Sequence, residues 1–175
     1  MRFVDFLRAG ILLCAASATV LAAVTVLRAG VEADNTLVLF VAGWWLVAGV
    51  IGAWLGRRAQ TNSPIARLLA SAKSTSSLPE HRPGILLINR LWPLFASTVL
   101  AIGLGLVATQ IPGIATGFAI IAALAWRRQE AAVTAIEERD GVAFYVEPTS
   151  PIRPIKLVRA PGFRRDLASV NGRAG

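Results

Sequence analysis

Long apolar runs separated by polar links dominate the chain. Four runs cover residues 9–27, 36–56, 91–109 and 113–126, and every charged residue lies outside them. A helix needs roughly 20 residues to cross the hydrocarbon core of a bilayer, at about 1.5 Å of rise per residue. The pattern therefore predicts an all-α membrane protein with four transmembrane helices, the fourth of them short for a full crossing.

The spacing of the runs predicts two transmembrane hairpins. Residues 28–35 link the first pair, and residues 110–113 link the second. Pro112 removes a backbone donor and Gly113 tolerates unusual dihedral angles, so we expect the chain to reverse there. The predicted divisions are a first hairpin in residues 1–56, a loop in 57–90, a second hairpin in 91–126, and a helix extension with a tail in 127–175.

The two hairpins also share short stretches of sequence. The first contains AASATV at residues 15–20 and ends with WLGRR at 54–58, while the second contains ASTV at 96–99 and ends with WRR at 126–128. These matches favour a tandem repeat whose pseudo-twofold axis runs along the membrane normal. The alternative is chance similarity between alanine-rich spans.

Charge predicts the orientation of the spans. Hydrophobic residues make up 55% of the chain and the mean hydropathy is +0.60, which excludes a large soluble core. If the N-terminus is cytoplasmic, every Lys and Arg except Arg28 lies on the cytoplasmic side, as the positive-inside rule requires. We therefore expect a multi-pass protein of the bacterial plasma membrane with both termini in the cytoplasm. A cleaved signal peptide is the competing interpretation of the first run, which is long for one.

Small residues recur at four-residue spacing in the second and fourth runs and predict close helix contacts. They are Ala48, Gly52 and Gly56, then Gly113 and Gly117. Trp44 and Trp45 lie mid-span, away from the membrane interface that tryptophan prefers. These residues either pack the bundle internally or dock another membrane subunit.

The polar segments predict contacts with the membrane surface. Arg57 and Arg58 follow the second run, and Arg127 and Arg128 follow the fourth, so we expect all four to contact anionic lipid headgroups. In the loop, Ser63 and Pro64 begin an apolar stripe that predicts a short interfacial helix. The stripe consists of Ile65, Leu68, Leu69 and Ala72.

The fourth run continues as a helical pattern until Asp140 and Gly141, and then becomes a basic tail rich in proline. Residues 142–146 have the composition of a strand, and the prolines after them predict an extended segment that cannot pair as a central strand. The tail either stays flexible near anionic headgroups or docks along a groove or sheet edge of a larger partner. Its candidate docking residues are Phe144, Tyr145, Ile152, Ile155, Leu157 and Phe163.

Candidate chemistry is sparse. The chain has one cysteine, Cys14, and one histidine, His81, and no ionisable residue lies inside a predicted span. We therefore expect no enzyme activity, no cofactor, no metal site and no nucleic-acid partner. The alternative is a membrane-bound regulator or metal-dependent enzyme that acts through cytoplasmic carboxylates such as Glu137, Glu138 and Asp140.

Arginine strongly outnumbers lysine and alanine is abundant, a composition typical of actinobacteria. With the DGVAFYVE stretch at 140–147 and SPIRP at 150–154, the overall plan resembles the small four-span accessory subunits of mycobacterial Mce-type lipid importers. The resemblance implies a non-enzymatic subunit beside an ABC-type permease that imports fatty acids or lipids with energy from a separate ATPase. The alternative is a self-associating bundle that carries a small solute or lipid.

Overall fold

A computed structural model describes residues 1–32, 35–59, 69, 72–74, 83–147 and 155–161. Four helices in these ranges are long and apolar enough to cross a membrane, which confirms the predicted four-span membrane protein. Three short strands accompany them. The sequence indicated only the strand at residues 142–146. The elements are α1 (Phe3–Glu32), α2 (Asn35–Ala59), β1 (Lys73–Ser74), α3 (Pro83–Leu104), α4 (Gln110–Asp140), β2 (Val142–Val146) and β3 (Leu157–Pro161).

The bundle is assembled around α4. Helix α1 runs antiparallel to it, with Gly10 against the Trp126 ring near one end and Thr25 beside Gly113 near the other. Helix α2 runs parallel to α4 and contacts it from Val41, beside Gly113, to Gly56. Helix α3 contacts α1 and α4 over less of its length. Two helices are therefore held by close packing on α4, and the third is more peripheral.

The helix packing lacks the pseudo-twofold symmetry that a tandem repeat of the two hairpins would produce. A pseudo-twofold that exchanges the two hairpins would convert the α1–α4 contact into an equivalent α3–α2 contact. Among the described residues α1 packs along α4, whereas α2 and α3 have almost no contact. The similarity between the hairpins is therefore not matched by symmetric packing.

The reversal between α3 and α4 lies earlier than predicted. Helix α3 ends at Leu104 and α4 begins at Gln110, so the turn comprises residues 105–109. Pro112 lies in the first turn of α4, where a backbone N–H has no acceptor within the helix, so the N–H that proline lacks is not missed as a helical hydrogen bond. The prediction of a turn at residues 110–113 is wrong, because proline is acceptable both in a turn and at the start of a helix.

Helix α4 is also longer than the apolar run it contains. Its 31 residues correspond to about 46 Å, so the fourth span is not short. The predicted continuation to Asp140 is confirmed. Gly141 ends the helix in a left-handed conformation with φ of 62°, and its N–H donates to the Glu137 carbonyl.

The strands form a three-stranded sheet in the order β1-β3-β2. β3 pairs in parallel with β1 and antiparallel with β2, placing Val146 opposite Leu157. On the free side of β2, the Val146 N–H donates to the Met1 carbonyl at 3.1 Å. The prediction that the tail could not pair as a central strand is therefore wrong for β3. Its only proline is the last residue, Pro161, so the preceding residues keep their backbone donors.

A hydrophobic core fills the space between this sheet and the helix ends. We call this part of the molecule the sheet end, comprising residues 1–8, 130–147 and 155–161. The predicted interfacial helix of the loop lies outside the described residues except for two positions of its stripe. Leu69 is helical and buried in this core, whereas Ala72 packs against the core but is not helical, so the helix does not extend to it. The core consists of Phe3, Val4, Phe6, Leu7, Leu69, Leu91, Val133, Phe144, Val146 and Leu157.

Each helix carries an arginine where it meets the sheet end. We call Arg8, Arg57, Arg90 and Arg127 the arginine belt, one residue from each of the four helices. Along α1, the distance from Arg8 to Arg28 is about 30 Å, which matches the hydrocarbon thickness of a bilayer. The belt and Arg28 are therefore spaced as residues at two opposite membrane boundaries would be.

Candidate functional site

The Glu137 carboxylate is a buried polar group that binds two distant parts of the described chain. Glu137 is 6% exposed, and its Oε2 accepts a hydrogen bond from an Arg2 Nη2 at 2.7 Å. Its Oε1 accepts from the Phe144 backbone N–H at 2.9 Å. The hydrogen bond to Glu137 raises the pKa of Arg2 above its ordinary value. The carboxylate thus ties the start of α1 and β2 to α4, which is a structural role.

Two other carboxylates near this end, Glu130 and Asp140, are also paired. Arg8 donates to Glu130 at 2.9 Å, a second contact between α1 and α4, and Arg139 donates to Asp140 at 2.8 Å. Within the described residues no group of three or more His, Cys, Asp or Glu side chains could hold a metal ion. Of the three carboxylates in the alternative of a metal-dependent enzyme, Glu137 and Asp140 bind the chain's own donors, and Glu138 is exposed. The geometry therefore gives no support to catalysis through this group.

The predicted small-residue stripe of α2 faces α4. Ala48 is fully buried, and Gly52 and Gly56 are buried beside it. A Cβ at Gly52 would lie 3.0 Å from the Leu124 Cβ, and the aliphatic stem of Arg128 covers Gly56. Of the two predicted uses of this stripe, the structure shows the internal one.

The predicted stripe of α4 receives side chains from α2. Gly113 contacts Val41, and Gly117 lies directly under the Trp44 indole, so neither position has room for a Cβ. These glycines let α2 approach the backbone of α4 closely. We call the contact of the two stripes the α2–α4 seam.

Both central tryptophans belong to this seam. The Trp44 Nε1 donates to the Ile114 carbonyl at 3.1 Å, and the Trp45 Nε1 donates to the Gly113 carbonyl at 2.9 Å. Trp44 also packs edge-to-face on Phe118, with ring centroids 5.7 Å apart. An indole N–H in hydrocarbon needs an acceptor. The α4 carbonyls supply it, which explains tryptophan at mid-span.

Hydroxyl groups within the spans are likewise satisfied by their own helices. Thr25 donates to the Leu21 carbonyl and Thr116 to the Pro112 carbonyl, each at 2.8 Å. Both threonines are buried. These hydroxyls therefore need no partner from another helix.

The candidate docking residues of the tail are placed within the chain itself where they are described. Phe144 and Leu157 are buried in the sheet-end core, Ile155 packs against that core, and Tyr145 is half-buried opposite Val158. Ile152 and Phe163 lie outside the described residues. The groove into which Phe144 and Leu157 dock is therefore formed by this chain.

The candidate headgroup residues lie at the predicted membrane boundary. Arg57, Arg127 and Arg128 are exposed, while the side chain of Arg58 lies outside the described part. Exposed guanidinium groups at this level are positioned to meet phosphates.

A lateral groove, not foreseen from the sequence, opens between α1, α3 and α4. Its volume is about 300 Å³, and it is open on the membrane-facing side. Small residues of α3 and α4 create it beside Leu21 of α1, so no single run signals it. It is lined by Leu21, Leu94, Ser97, Thr98, Ala115, Phe118, Ala119 and Ala122.

Comparison of the chain with family models, curated proteins and solved structures gives no match.

Proposed function

We propose that the chain is a non-enzymatic accessory subunit that stabilises a larger membrane transport assembly. The observation that carries the proposal is the outward face of α2, opposite the α2–α4 seam. This face is exposed and apolar along its length, and one glycine interrupts its large side chains. It consists of Leu39, Phe40, Gly43, Val47, Val50 and Trp54.

The notch at Gly43 supports contact with a neighbouring helix. Apart from its chain neighbours and the nearby backbone of its own helix, no heavy atom of the described chain lies within 4 Å of the position that a Cβ of Gly43 would occupy. Phe40 and Val47 are one helical turn away on either side and are exposed, so they would flank an inserted ridge. Since lipid is as apolar as leucine, helix association in a membrane depends on such close fitting. The seam uses the other side of α2, so this face is available.

The arginine belt supports the proposed orientation. The belt and the sheet end carry most of the described basic residues, and Arg28 lies near the opposite boundary. The positive-inside rule then assigns the sheet end, and both termini with it, to the cytoplasm of a bacterium. A fatty-acid or lipid importer is the proposed assembly, through the resemblance to Mce-type accessory subunits, and its ATPase would be a separate protein.

Site-directed photo-crosslinking in native membranes tests the proposal. A photoreactive amino acid at Val47 is expected to capture one large membrane protein in stoichiometric amount, identified by mass spectrometry. The same amino acid at Val99, exposed on α3, serves as the matched control and is expected to capture mainly lipid. Equal capture of protein at both positions, or of none at Val47, would reject the α2 face as the partner surface.

A second candidate function is a self-associating lipid carrier, and the lateral groove is the observation that favours it. The groove is mostly apolar, so of the small solute and the lipid considered from the sequence it suits the lipid better. Crosslinking of Val47 to a second copy of the chain alone, together with lipid movement by the purified protein in liposomes, would favour this candidate over the accessory subunit.

A further inference from the structure

We propose that the lateral groove binds one acyl chain of an anionic phospholipid, whose phosphate is held by Arg90. The lipid belongs to the leaflet at the sheet end. This inference does not depend on the proposed function, because it concerns a different face of the bundle from the outward face of α2.

The depth of the groove places it among lipid tails. On α4 it extends from Ala115 to Ala122, which is about 10 Å along the helix axis. Ala122 lies about 7 Å from Arg127 of the arginine belt, measured along the same helix. The groove therefore begins below the headgroups and reaches the middle of the hydrocarbon core. Only the apolar part of a lipid lies at that depth.

The polar side chains that line the groove already donate hydrogen bonds within their own helix. The hydroxyl groups of Ser97 and Thr98 both donate to the Leu94 carbonyl, at 3.0 and 2.8 Å. The remaining lining side chains are apolar. A water or polar solute would find few partners here, whereas an acyl chain restores the dispersion contacts that an empty groove lacks.

The size of the groove favours an acyl chain over a helix of another protein. A helix about 10 Å in diameter displaces roughly 800 Å³ over a 10 Å length. The groove offers about 300 Å³, so it admits no more than the ridge of a helix. An acyl chain is much thinner and can be enclosed over that length.

Arg90 supplies the complementary charge. It precedes Leu94 by four residues on the same face of α3, so it lies about 6 Å above the groove and in the arginine belt. A guanidinium group pairs well with a phosphate oxyanion. A phospholipid whose tail lies in the groove therefore has its phosphate near Arg90, and a net negative headgroup strengthens the contact.

The test uses the full chain in nanodiscs that contain a phospholipid with a diazirine on the acyl chain. Crosslinks from phosphatidylglycerol are expected on peptides that contain Ser97 and Phe118. Filling the groove with Ala122→Phe, or more mildly with Ser97→Leu, is expected to lower this yield at least fivefold. Val99→Phe, on the exposed side of α3, is the matched control and is expected to leave the yield unchanged.

The headgroup is tested by comparing phosphatidylglycerol with phosphatidylcholine. A severalfold preference for phosphatidylglycerol is expected in the native chain and should disappear in Arg90→Gln but persist in Arg127→Gln. Thermal midpoints identify any variant that fails to fold. If one of the two groove-filling variants fails to fold, the other still provides the comparison. Unchanged crosslinking in both filling variants overturns the groove as a lipid site. Equal labelling of the native chain by phosphatidylglycerol and phosphatidylcholine overturns the proposed preference for an anionic headgroup.

Discussion

At the scale of single residues, Glu137 joins Arg2 and the Phe144 backbone to α4. Replacing it with alanine leaves the Phe144 N–H without its acceptor and Arg2 without its partner. An unsatisfied buried donor costs about 1–3 kcal/mol, and the Arg2 contact adds little because the Arg2 side chain is 51% exposed. We expect Glu137→Ala to lower the free energy of unfolding in detergent by that amount. Glu137→Gln should lose less, since its amide oxygen can still accept from Phe144.

The adjacent Glu138 is exposed and provides the control for that measurement. Glu138→Ala is expected to change the thermal midpoint little. Equal destabilisation by the two alanine variants would show that charge at the end of α4, rather than the Glu137 contacts, determines stability.

Gly141 is a second residue whose effect follows from one local property. Its φ of 62° places it in the left-handed region, where a Cβ is unfavourable. Gly141→Ala should destabilise the chain by about 1 kcal/mol, whereas Gly141→Asn should cost less because asparagine tolerates this conformation. Gly103→Ala, in an open position on helix α3, should be neutral or stabilising. Thermal unfolding of the three variants checks the order, and a Gly141→Ala variant as stable as native would contradict it.

At the scale of elements, the α2–α4 seam determines how the bundle holds together. Gly52 and Gly49 lie on the same helix, but only Gly52 has atoms of α4 within 4 Å of a Cβ position. Gly52→Leu is therefore expected to cost about 1–3 kcal/mol through overpacking, while Gly49→Leu is accommodated. Unfolding in mild detergent measures both. Equal midpoints for the two leucine variants would contradict the prediction, because close packing at Gly52 would then not contribute to stability.

The elements also show why some features are predictable from sequence and others are not. The four spans follow from length and apolarity, and the end of α4 follows from Gly141, because these signals are local. The central position of β3 depends on pairing with residues 73–74 and 142–146, which are distant in sequence. Likewise, the partners of Glu137 include Arg2, at a separation of 135 residues. The small-residue stripe was recognisable, but only three-dimensional contacts show that it faces α4.

At the scale of the whole molecule, the sheet end joins segments from both ends of the chain. Removing residues 148–175 deletes β3 and takes Leu157 out of the core, which exposes Phe144 and Val146. Losing one buried leucine costs about 1.5–3 kcal/mol, so the thermal midpoint should fall while all four spans remain inserted. Removing only residues 162–175 keeps β3 and should leave the midpoint near the native value. Identical midpoints for the two truncations would show that β3 adds nothing to stability.

The topology of the whole chain follows from the distribution of charge along the membrane normal. The arginine belt and the folded sheet end lie on one side, whereas the turn between α3 and α4 is apolar and lies near Arg28. Translocating the sheet end would carry most of the basic residues across the membrane, whereas the opposite orientation transfers only the short connections. We therefore expect the sheet end to stay in the cytoplasm and the turn to face outward.

Thiol labelling in bacterial spheroplasts measures this topology directly. In a Cys14→Ala background, which removes the native thiol, single cysteines are placed at Val107 in the turn and at Glu138 in the sheet end. Val107 is 90% exposed and Glu138 is exposed, so accessibility within the protein limits neither reaction. A membrane-impermeant maleimide should label Val107→Cys in intact spheroplasts and Glu138→Cys only after lysis. Labelling in the reverse order would invert the topology, and it would place the arginine belt on the outer side against the charge rule that predicts its position.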